Sequence, residues 1–220
     1  MSELLFFATT AALMVMMING GLALGPWRGR PVPWVAVVLT ALAVSGVLIQ
    51  LVWPGAMDTL DNDPAKTGWW RVVTSVFMQN GGVAGAVWNI ATLAAVAALA
   101  QWFWGGLLTA ALFAGGIFLP ERVDALLGMG GPSTDPRNFA GSSGATYFLG
   151  ATLATALLMR TRLVKERLLA VGVPALGLVM WFAQGNGHGL VAVYGFAAGL
   201  LAWVAWRGIA TFRDRLPRAA

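Results

Sequence analysis

Cysteine is absent from the 220 residues, and histidine occurs once, as His188. Without thiols there is no disulfide framework, no thiolate nucleophile and no cysteine metal site. A single imidazole excludes a metal cluster built on two histidines, so neither a metal nor a cofactor is expected. Charge is scarce too: 10% of residues are charged against 58% hydrophobic, and mean hydropathy is +0.73. Long apolar runs take the place of amphipathic stripes, the mark of an integral membrane protein. A net charge of +5 would suggest nucleic acid in a soluble chain. Here the basic residues stand at the ends of apolar segments, where they report orientation, so the expected partner is the lipid bilayer and not nucleic acid.

Seven stretches, roughly 4–25, 33–53, 83–99, 101–119, 142–159, 167–184 and 188–206, are long enough, or nearly so, to cross about 30 Å of hydrocarbon. The first has an acidic leading end, Glu3, and is too long for a signal-peptide core, so it is expected to be kept. The expected fold class is all-α, a polytopic membrane protein with seven spans. Arg28, Arg30, Arg160, Arg162, Lys165, Arg167, Arg207, Arg213, Arg215 and Arg218 fall on one side of that arrangement, ten of the 14 basic residues. The positive-inside rule makes that side cytoplasmic, with the N-terminus outside and the C-terminus in the cytoplasm. The opposite side carries Asp58, Asp61 and Asp63 in one loop and Glu121, Asp124 and Asp135 in another. The tryptophans fall near the predicted interfaces, as an aromatic belt does, with Trp88 alone deep. The two exterior loops, about 54–82 and 120–140, are longer than connection requires, and the second holds Gly128-Met129-Gly130-Gly131-Pro132. Such loops are where function tends to reside.

Gly141-Ser142-Ser143-Gly144 opens the fifth span with small and hydroxyl-bearing residues. Such a run lets helices approach closely in lipid, while a polar group inside a bilayer is costly and usually has a task. Asn89, in the third span, reads as an interhelical hydrogen bond or as a donor to developing negative charge. Trp70-Arg71 reads as an interface anchor, and Gly195-Phe196-Ala197-Ala198-Gly199 as a small-residue packing face. Peptide hydrolysis by serine needs a base that titrates near neutrality, and His188 is the sole candidate. No carboxylate falls within a predicted span, so the unit that can be assembled is a dyad of one of the two serines, Ser142 or Ser143, with His188. Counting ~1.5 Å per residue, Ser143 lies about 25 Å above Arg160 and His188 about 28 Å above Arg207, nearly the same depth.

Together these features resemble the rhomboid family of intramembrane serine proteases, in a divergent, bacterial-type form, over about 130 residues from Trp70 to Gly199. The family's Gly-x-Ser-Gly matches Gly141-Ser142-Ser143-Gly144 and implies that Ser143 is the nucleophile. Its tyrosine four residues on matches Tyr147, implied to stack on the imidazole from one turn below Ser143. The Trp-Arg pair matches Trp70-Arg71, and Thr74-Ser75-Val76-Phe77 and Gly81-Gly82 resemble the family's run into its second core helix. There the family's His-x-x-x-Asn meets Gly85-Ala86-Val87-Trp88-Asn89, with the asparagine kept and the histidine missing. The oxyanion would be met by the Ser143 backbone N–H and the Asn89 amide, with Gly141 supporting the motif. The absent donor at 85 is worth about 2.7–4 kcal/mol in soluble hydrolases. The family's His-x-x-Gly-x-x-x-Gly fits in two registers: His188 carries the only imidazole, whereas Gly195 and Gly199 would put the histidine at Ala192.

The resemblance implies a six-helix core over 33–208, preceded by an extra transmembrane helix and cytoplasmic loop over 1–32 and followed by a basic cytoplasmic tail over 209–220. It implies an intramembrane serine endopeptidase of the bacterial cell membrane that cleaves transmembrane-segment protein substrates near the outer surface. Gly85 keeps a second expectation open, a catalytically inactive relative that binds transmembrane segments. A small-solute transporter is disfavoured, since no ionisable residue sits mid-span and no pair of broken helices is evident.

Overall fold

The computed structural model describes residues 3–129 and 139–215, with side chains as far as Arg207, and every regular element among them is a helix. Apolar length sets the long ones: α1 (Glu3–Ala23), α2 (Trp34–Val52), α5 (Gly82–Trp104), α6 (Gly106–Leu127), α7 (Ser143–Arg160), α8 (Val164–Gln184) and α9 (Gly187–Arg215). Two short helices, α3 (Ala56–Leu60) and α4 (Arg71–Thr74), lie in the first long loop. All the long helices except α7 are long and apolar enough to cross a membrane, six in number where seven were expected. That is the build of an integral membrane protein.

Packing explains why α7 differs. Every residue from Ala145 to Leu157 is buried, against α9, α6, α1, α8 and α5. A helix walled by protein needs no apolar surface, so α7 carries threonines that its neighbours could not present to lipid. Their hydroxyls are all satisfied: Thr146 Oγ1 bonds Ser142 O, Thr152 Oγ1 bonds Leu149 O, and Thr155 Oγ1 bonds Phe196 O on α9 at 2.6 Å. Glycine brings the α7 and α9 backbones together. A Cβ on Gly195 would stand 2.1 Å from Phe148 O, and one on Gly199 would stand 2.8 Å from Thr155 Oγ1. The small-residue face read from the sequence thus packs on the central helix.

Among the described residues the α5 and α8 backbones do not come close to each other; α1 packs against both of them and against α7, filling the space between. One end of the bundle is tied by Arg160 Nη1 to Leu24 O, Gln101 Oε1 to Val35 N and Trp102 Nε1 to Pro31 O. At the other end Arg71 holds the first loop, donating through Nη1 to Asp58 O, Asp61 O and Asp61 Oδ1. Trp70 beside it is exposed. Lys66 completes this cluster, and its hydrogen bond and charge hold the Asp58 carboxyl below the usual carboxylate range. The Asp58 bond in turn raises the Lys66 ammonium, against some burial.

Several boundaries differ from expectation. The break between the third and fourth long helices falls at Gly105, whose φ of 82° ends α5, and not near residue 100. α6 continues through Pro120 to Leu127, where a loop was expected from about 120. Its last turns are held from outside, by Asn62 Nδ2 on Glu121 and by the Tyr194 hydroxyl on Asp124. The tail expected from 209 is helical as far as Arg215. Gly130, Gly131, Pro132, Asp135 and Arg218 lie outside the described residues.

Candidate active site

Ser143 is the first residue of α7, so its N–H stands in the turn where a helix offers its own amides no carbonyl. The chain arrives through Gly141, whose φ of 138° favours glycine and whose N–H donates to Ser75 O at 2.9 Å. That bond commits the Gly141 amide, leaving Gly141 to shape the backbone. Ser142 turns inward and is fully buried, while Ser143 lines a cleft of about 820 Å³ bounded by α1, α5, α7 and the turn between α8 and α9. Trp88, on α5, lines the same cleft.

His188 is the second residue of α9, and its Nε2 lies 3.0 Å from Ser143 Oγ. Of the two registers considered, His188 is therefore the one that meets the serine. Ala192, one turn deeper, is fully buried. Gly195 follows His188 by two helical turns, so the face that carries the imidazole is the face packed on α7. The Tyr147 ring lies beside the imidazole as the resemblance implies, centroids 4.8 Å apart and the planes tilted by 58°. Its hydroxyl donates to Thr10 O at 2.6 Å.

Asn89 reaches the site from α5. A Cβ on Gly141 would lie 3.5 Å from Asn89 Nδ2 and 3.6 Å from Ser143 Oγ, so the amide and the hydroxyl flank one spot. One Asn89 N–H donates to Gln79 Oε1 at 2.9 Å, which orients the amide and leaves its second N–H. Gln79 is pinned in turn by Gln50, which accepts from Gln79 N and donates to Gln79 O. Gly85, where the resemblance expects a histidine, lines the cleft with its backbone closely approached: a Cβ there would stand 2.8 Å from Asn80 O, so a side chain requires that carbonyl to shift.

Asn186 is the residue the sequence reading missed. It precedes α9 and caps it, Oδ1 accepting the His188 backbone N–H at 3.1 Å, and the same oxygen lies 3.1 Å from His188 Nδ1. An oxygen can only accept there, so Nδ1 carries the proton and Nε2 presents its lone pair to the Ser143 hydroxyl. An asparagine two residues before a histidine at a helix start is the available signal, since Asn is a favoured N-cap. Chemically the arrangement offers a hydroxyl with a base in hydrogen-bond reach, and two N–H donors, from Ser143 and Asn89, beside it. No known family's model matches this chain, and no curated protein matches it.

Proposed function

We propose that the chain is a rhomboid-type intramembrane serine endopeptidase that cleaves transmembrane-segment substrates. The observation that carries this reading is the 3.0 Å contact between Ser143 Oγ and His188 Nε2, set in a cleft at one end of a bundle of apolar helices. In the reaction Ser143 Oγ attacks the scissile carbonyl as its proton passes to His188 Nε2. The oxyanion is met by the Ser143 N–H and the free Asn89 N–H. Collapse breaks the C–N bond, the imidazolium gives its proton to the leaving amine, and water, deprotonated by the same imidazole, releases the acyl group.

On this reading α7 spans the bilayer as well, the central member of seven, since its 18 residues rise about 27 Å. The six helices α2 and α5–α9 form the core and α1 is additional. The basic end faces the cytoplasm and the cleft opens outward in a bacterial cell membrane. Glycine at 85 favours the second reading, a catalytically silent binder of transmembrane segments. Covalent labelling by a fluorophosphonate decides between them. The parent is expected to label and Ser143→Ala is not; a folded parent that fails to label removes the peptidase reading and leaves the binder.

A further inference from the structure

We propose that α1 is part of the catalytic apparatus: Thr10 positions Asn186, and Asn186 positions His188. This rests on the peptidase reading for its consequence, but its geometry stands independently. Asn186 is 1% exposed, and each of its polar groups is committed. Its N–H donates to Met180 O, its carbonyl accepts from Gly189 N, Oδ1 faces His188, and Nδ2 donates to Thr10 Oγ1 at 2.8 Å.

The two ends of an asparagine amide are alike in shape, so the neighbours decide which end faces the imidazole. Two neighbours decide it here: the His188 backbone N–H, which needs an acceptor, and Thr10, which accepts from the other end of the amide. The Thr10 hydroxyl gives its proton to Phe6 O at 2.8 Å and so offers Asn186 a lone pair, which accepts from Nδ2 and turns Oδ1 toward His188. The result is one directed chain: Ser143 O–H to His188 Nε2, His188 Nδ1–H to Asn186 Oδ1, Asn186 Nδ2–H to Thr10 Oγ1, Thr10 O–H to Phe6 O. With the amide reversed, an N–H would point at Nδ1, and the proton would move to Nε2, where it blocks acceptance from serine. Tyr147 gives α1 a second hold, its ring beside the imidazole and its hydroxyl on Thr10 O.

The chain's single imidazole makes the test direct, because histidine labelled with nitrogen-15 reports His188 alone. In detergent micelles the parent is expected to show a protonated Nδ1 and an unprotonated Nε2. Thr10→Val, which keeps shape and removes the acceptor, is expected to give a mixture of tautomers, and Thr10→Ser to restore the parent spectrum. Asn186→Asp, which can only accept, is expected to keep the Nδ1–H form and to make it insensitive to an added Thr10→Val. The new carboxylate favours the imidazolium, so the imidazole of Asn186→Asp should titrate at higher pH than the parent's. Fluorophosphonate labelling should follow the tautomer, falling in Thr10→Val in proportion to the Nδ1–H form lost, roughly two-fold for an even mixture, against the ~10⁴-fold known for a wholly wrong tautomer in a soluble triad. A parent-like spectrum in Thr10→Val, or no upward movement in Asn186→Asp, overturns the proposal. A parent with the stated tautomer that does not label overturns the peptidase reading alone.

Discussion

Gly195→Ala tests whether the contact between α7 and α9 sets the distance between serine and histidine. A methyl at 195 would stand 2.1 Å from Phe148 O and 2.7 Å from Phe148 Cα, whereas unstrained carbon contacts lie near 3.5–4.0 Å. The two backbones must therefore part by more than about 1 Å. Ser143 and His188 ride on these same helices, about 7.5 Å and 10 Å along the axes from the point of contact. A parting of that size carries Oγ and Nε2 from 3.0 Å to about 4 Å, beyond hydrogen-bond reach. A misplacement near 1 Å can cost ~10²-fold in rate, so fluorophosphonate labelling should fall by about that factor. Overpacking of a filled interior costs about 1–3 kcal/mol, and thermal unfolding followed by tryptophan fluorescence should show a loss at the upper end of that range. Gly25→Ala is the control, because a Cβ there meets nothing within 4 Å. Parent-like labelling and melting in Gly195→Ala would refute the claim that this contact holds the pair together.

His188→Ala should reduce labelling at least ~10²-fold, the low end of general-base effects. Adding Ala192→His should not restore it, because Ala192 is fully buried in the core; recovery would mean that the deeper register is the working one. Gly85→His is expected to lower the melting temperature, since overpacking costs about 1–3 kcal/mol, and to leave labelling no faster than the parent's, because its Cβ meets Asn80 O at 2.8 Å. Faster labelling would show that the missing donor can be supplied after all. A single cysteine introduced as Arg162→Cys, in a chain otherwise free of cysteine, should react with impermeant reagents only from the cytoplasmic side. Labelling from outside intact cells would invert the topology.

The long helices are legible in the sequence because apolar length is a local property. What the sequence hides is which helix stands inside. α7 reads as one more span of similar length, and only packing reveals that its threonines face protein. Pro120 looks like a stop because proline removes a helical hydrogen bond. α6 passes through it, and partners from distant parts of the chain, Asn62 and Tyr194, hold the turns beyond. Gly105 gives no sign of a break in the sequence, because the apolar run continues on both sides of it.

Ser143 and Tyr147 can be picked out by their match to the family motif, and His188 because it is the one imidazole in the sequence. Asn186 is close to His188 in sequence, yet a lone asparagine in a glycine-rich turn reads as a turn former. Thr10 carries no signal at all, because its meaning depends on a contact across 176 positions. Gly85 is the opposite case, a position whose sequence reading is clear and misleading. Read along the chain it is a deleted donor. In three dimensions it is a close approach of the Asn80 carbonyl to α5, and the Asn89 amide beside Ser143 is oriented by Gln79. The site has therefore not merely lost a group at 85: the backbone that crowds a Cβ there also carries, at the adjacent Gln79, the side chain that orients Asn89.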